Sequence, residues 1–193
     1  MKILQGLLIL FMLIGFLGCG EDEEGEEGSA STTKGWHFQG RDCLACHNLD
    51  LQDERHLFIG GTLFKASVVN DQDDLDNSCG GEWVINFLDS GSNIVYSSLS
   101  YTDSNSKGDK GKGNLFILAR MLDAINGDFT VQITDKLGRE LAKSNPLSHQ
   151  FTYDNYNINE SANVDNRRSC NACHITGGVS APLFVQNNQQ LCE

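Results

Sequence analysis

Trp83-Val84-Ile85-Asn86-Phe87-Leu88 alternates apolar and mixed positions, which places Trp83, Ile85 and Phe87 on one face of a strand. Asp89-Ser90-Gly91-Ser92-Asn93 follows, a cluster of turn formers, and then Ile94-Val95-Tyr96, so the stretch reads as a hairpin. The same pattern extends in both directions. Phe58 to Val69 is strand-like, as are Asn114 to Leu118 and Gly127 to Thr134, and Asp135-Lys136-Leu137-Gly138-Arg139 turns the chain into Glu140-Leu141-Ala142. The polar run Thr102 to Gly113 reads as a flexible loop. Strands at this spacing, without a long helical pattern, predict a mainly β fold with an antiparallel β-sandwich over 58–144.

On either side of this region stand two C-x-x-C-H pentapeptides, Cys43-Leu44-Ala45-Cys46-His47 and Cys170-Asn171-Ala172-Cys173-His174. Such a motif attaches c-type haem: two thiols at this spacing form thioethers with the vinyl groups of one porphyrin, and the histidine binds its iron. Two covalently attached haems are therefore expected. A pair of disulfides and a shared zinc site are the competing readings, and zinc needs four ligands close together, whereas the pairs lie 127 residues apart and each carries its own histidine. The first haem segment is 35–57 and the second, polar and irregular, 145–193.

The chain holds five histidines. With His47 and His174 as proximal ligands, His37, His56 and His149 remain for the sixth positions. His37 and His149 each precede a motif and are the expected distal ligands, with His56 in reserve. Met121 is the one methionine beyond the leader and reads as core. Trp36 and Phe38 are candidates to pack on a porphyrin, and Arg167 and Arg168 to pair with its propionates.

Residues 1–18 read as a signal peptide: Lys2, then an apolar run from Ile3 to Phe16 that is too short for a membrane span. Phe16-Leu17-Gly18-Cys19 resembles a bacterial lipoprotein signal, although Phe16 replaces the usual leucine. That resemblance implies a lipid on Cys19, export, and an outer-membrane anchor on the periplasmic or cell-surface face. Residues 19–34 then form an acidic disordered tether, since Glu21 to Glu27 bury nothing.

The 193 residues carry a formal charge of -12, which argues against nucleic acid as a partner and suits a solvated electron carrier. Cys79 and Cys192 are left over from the motifs and the leader, and in an exported protein they are candidates for a disulfide. Asp71, Asp73, Asp74 and Asp76 crowd one loop; with no glycine at a sharp turn, a solvated acidic loop is favoured over a calcium site.

The strand order resembles the carboxypeptidase regulatory-like (transthyretin-like) sandwich domains. The matching pieces are Ile59-Gly60-Gly61-Thr62-Leu63-Phe64, Trp83 to Gly91, Gly113 to Leu118 and Asn126 to Val131. Sandwiches flanked by C-x-x-C-H motifs resemble the exported multihaem cytochromes. This implies one-electron transfer between other cytochromes or redox proteins, with self-assembly open. Two alternatives stay in view: a dihaem peroxidase or oxyanion reductase with one open iron, and a module whose sandwich binds a partner.

Overall fold

In a computed structural model the described residues are 39–49, 51–100, 112–119, 125–151 and 168–192. The leader 1–18, Cys19, the tether 19–34, Trp36, His37, Phe38, Met121, Arg167 and most of the polar loop lie outside them. Residues 35–193 make one compact unit. It is mainly β, with antiparallel sheets and few helices.

Seven strands run in chain order: β1 Leu57–Thr62, β2 Trp83–Leu88, β3 Ile94–Ser97, β4 Asn114–Leu118, β5 Gly127–Asp135, β6 Glu140–Lys143 and β7 His149–Phe151. Two short helices carry the cysteine motifs, α1 Cys43–Leu49 and α2 Cys170–Cys173. β1 pairs with β4, and the larger sheet runs β3-β2-β5-β6, with β7 also pairing β5. Ile59, Leu115 and Ile117 from the small sheet share one core with Trp83, Ile85, Phe87, Ile133 and Leu141 from the large one.

The expected hairpin forms between β2 and β3, with Asn86 opposite Ser97. Asp89 makes the turn, its Oδ1 accepting from the backbone N–H groups of Gly91 (2.8 Å) and Asn93 (2.9 Å). Asp135 repeats the device between β5 and β6, accepting from Leu137 and Arg139 N–H at 2.9 and 2.8 Å. Gly138, at φ 80, takes the left-handed conformation that this second turn requires.

Two expectations change. The strand that begins at Leu57 ends at Thr62 and does not run on to Val69. Beyond it Phe64 is taken by the C-terminal tail, donating to the Leu183 carbonyl and accepting from Val185 N–H. The segment 145–193 is not irregular throughout, because β7 extends the large sheet and α2 holds the second motif. Arg168 is 4% exposed and its guanidinium lies 4.2 Å above the Phe58 ring, where cation–π attraction compensates burial.

Cys79 and Cys192 are disulfide-bonded, with Cα atoms 4.7 Å apart across 113 residues of sequence. The bridge ties the tail to the core, and Gln186 and Asn187 N–H both bond the Leu141 carbonyl on β6. In the acidic loop Asp73 pairs with Arg41 at 3.1 Å, both exposed, and among the described residues no carboxylate group gathers as a metal site. No helix among the described residues is long and apolar enough to cross a membrane.

Candidate functional site

Both cysteine motifs are mounted on β1. One edge of that strand pairs with β4, while on the other Gly60 N–H bonds the Arg168 carbonyl at 3.1 Å and Gly60 bridges Ser169. Gly60 and Gly61 are consecutive strand residues, so their Cα hydrogens point to opposite faces. A Cβ on Gly60 would stand 3.0 Å from the Cys43 Cβ; one on Gly61 would stand 2.5 Å from the Cys170 Cβ. The absence of side chains there lets each motif helix press its first cysteine against the strand.

The helices start differently. Asp42 Oδ1 accepts from Leu44 and Ala45 N–H at 3.1 and 3.3 Å, capping α1. Ser169 precedes α2 but turns its hydroxyl to Asp42 instead, donating to Oδ1 at 2.6 Å. Leu44, after the first cysteine of motif one, is fully buried, and Asn171 at the same place in motif two is 2% exposed.

Each motif histidine is oriented by one backbone carbonyl shortly downstream. His47 Nδ1 bonds the Arg55 carbonyl at 2.9 Å, and His174 Nδ1 bonds the Ala181 carbonyl at 3.0 Å. A carbonyl accepts only, so Nδ1 carries the proton and the lone pair sits on Nε2, the tautomer needed for a metal ligand.

The second motif opens on a cavity of about 600 Å³. Cys170, Cys173 and His174 line it on one side, with His149, Ile85, Val131 and Leu183 among the rest. That volume falls within the range of roughly 300–1,000 Å³ usual for cofactor sites, and most of the walls are apolar. His149 reaches it from β7: His149 and Phe151 share a face of that strand, and Phe151 is locked edge-on against Phe87 at 5.5 Å. The His149 and His174 ring centres stand 6.2 Å apart with planes inclined by 15°. Two imidazoles that hold one metal between them at about 2.0 Å per bond have ring centres roughly 6.3 Å apart. His149 Nδ1 lies 3.1 Å from the Ser148 hydroxyl, whose own proton goes to the Asn145 carbonyl at 2.9 Å, so Nδ1 is the donor and the lone pair sits on Nε2.

The second site thus brings together two thiols and a histidine, a second imidazole with its ring centre 6.2 Å away, and a mostly apolar cavity, a set that could hold a haem. Of the first site the structure describes less. His56, the reserve ligand, directs Nε2 to the Leu51 carbonyl at 3.1 Å, and His37 lies outside the described residues. Cys46 is disulfide-bonded; a thioether and that bond are alternatives for the same sulfur.

Cys43, Cys170 and Cys173 are free thiols. Burial pushes Cys43 up to about 12, with the neighbouring Cys170 and then Asp42 adding to it. Burial likewise raises Cys170 to about 12. A dithiol built for disulfide exchange needs the opposite shift, towards thiolate at neutral pH, so these environments disfavour a thioredoxin-like role.

Gly60, Gly61, Thr62, Asp42, Ser169 and Asn171 belong to the site although no motif contains the first five. The signal was a pair of glycines inside a strand, a position that marks close backbone approach. Comparisons with protein-family models, curated proteins and solved structures return no match.

Proposed function

We propose that this chain is a dihaem c-type cytochrome that passes single electrons between redox proteins. The observation that carries the reading is the pair His149 and His174 at 6.2 Å, across a cavity also walled by Cys170 and Cys173. Haem supplies the redox chemistry; this chain holds it and tunes it. Cys43, Cys46 and Cys170, Cys173 are the attachment thiols, and His47 and His174 the proximal ligands. The Arg55 and Ala181 carbonyls keep each proximal imidazole in register and raise its basicity. His149 would complete the coordination of the second iron, which favours transfer over catalysis, and His37 remains the distal ligand proposed for the first. Most of the cavity lining at the second site is apolar, and apolar surroundings would shift the potential of a haem held there.

The finer fold that we infer is a sandwich of the carboxypeptidase regulatory-like kind, supported by the core common to both sheets. Export, the lipid on Cys19 and an outer-membrane location rest on the leader sequence. Cytochromes or other redox proteins are the partners that this reading calls for. A peroxidase or oxyanion reductase would need an open iron, and the first site is where one belongs, because its reserve histidine bonds the Leu51 carbonyl.

Mass and paramagnetic-resonance spectra of protein made in cells competent for cytochrome maturation test the proposal. Two porphyrins per chain and low-spin iron are expected at the second site. A product without porphyrin ends the reading, and a high-spin first haem open to cyanide turns it towards the enzyme.

A further inference from the structure

Asn171 sits inside the second motif, yet its carboxamide is committed to the first. Oδ1 accepts from Thr62 N–H at 3.0 Å. Nδ2 donates to the Arg41 carbonyl at 2.7 Å and to Thr62 Oγ1 at 3.2 Å, and lies 3.8 Å from Cys43 Sγ. Thr62 Oγ1 in turn accepts from Gly40 N–H at 3.0 Å and donates to Asn114 Oδ1 at 2.8 Å. The entry to motif one, the two strands of the small sheet and motif two are thus joined through one buried amide. A second link runs beside it, from the Ser169 hydroxyl to the Asp42 carboxylate that caps α1.

A C-x-x-C-H motif leaves the residue after its first cysteine unspecified, because attachment needs only the thiols and the histidine. In motif one that position is Leu44, an ordinary core residue. In motif two it is a polar group whose burial is tolerable only because its donors and acceptor are satisfied. Those bonds hold the two first cysteines to the two faces of Gly60-Gly61. Consecutive Cα atoms are 3.8 Å apart, so the Cys43 and Cys170 Cβ atoms stand at most about 12 Å from each other.

We propose that Asn171 is a positioning residue that locks the two haem attachments into one close register, so that the haems bind as an interacting pair. This rests on the dihaem reading, and the test separates the two. Holoprotein is first counted for porphyrin by mass, then examined by circular dichroism in the Soret band, where neighbouring haems give a two-signed couplet. Wild-type protein with two haems is expected to show the couplet. Asn171→Ala should keep both haems and their low-spin spectra while the couplet falls at least twofold. Ser169→Ala, which loses only the second link, should lower it less, and it serves as the variant of record if Asn171→Ala does not fold. Two haems without a couplet, or a couplet untouched in both variants, overturns the positioning role and leaves the cytochrome reading standing. Fewer than two haems on the wild-type chain overturns both.

Discussion

The two cysteine motifs share a pentapeptide pattern, a short helix, a seat on β1 and a histidine oriented by a downstream carbonyl. They differ in what folds over them. Motif two faces a cavity with a second imidazole across it, built by β7 and the tail. Motif one has its reserve histidine turned to the Leu51 carbonyl. The difference teaches that the pentapeptide sets only which side chains are offered, whereas their neighbours and solvent access are set by whichever segments fold over the site.

The largest effects break the comparison outright. Cys170→Ala with Cys173→Ala should remove one porphyrin of two by mass, and Cys43→Ala with Cys46→Ala should remove the other; loss of both from either double variant would show that the sites load as one.

Next is Cys192→Ser. Opening a bridge that closes 113 residues should cost about 3 kcal/mol, or roughly 10 °C in thermal midpoint, measured by calorimetry. The tail carries Ala181 and Leu183, so the spectrum of the second haem should change more than that of the first.

His149→Ala sharpens the contrast further. It should turn one haem of two high-spin in a paramagnetic-resonance spectrum, whereas His56→Ala should leave that haem low-spin. An unchanged spectrum in His149→Ala would dismiss the imidazole pair as a ligand set.

Gly61→Ala should cost about 1–3 kcal/mol in denaturant unfolding, because its methyl would meet the Cys170 Cβ and Sγ. Gly60→Ala should cost less, since its contacts begin at 3.0 Å.

The last effect is confined to alkaline pH. Folded Cys43 and Cys170 hold their protons to about 12, against 9.0 for an ordinary thiol. With the folded value raised, the contribution is complete below about pH 9 and is lost as pH climbs towards 12. Urea unfolding of the haem-free chain should weaken across that window. A thioether has no proton to lose, so the holoprotein should not weaken in this way, and a chain loaded at one motif should keep half of the loss.

Much of the fold was legible because β signals are local. Trp83 to Tyr96 named its own strands and turn, and β4 lies where Asn114 to Leu118 placed it. The end of β1 was not legible, since Phe64 leaves the strand for a tail more than a hundred residues away. β7 was missed for a similar reason. Three residues carry no periodicity, and His149–Phe151 is a strand because β5 and the Phe87 ring receive it.

By itself the sequence determined where the two cysteine-histidine motifs and the other histidines stand, and the strand-rich middle, all written in short-range spacing. Only the tertiary structure decided that both motifs share one strand, that Asn171 reaches the other motif, and that His149 faces His174. Those pairings depend on distances between residues far apart in the chain, which packing of the whole core sets and no local pattern encodes.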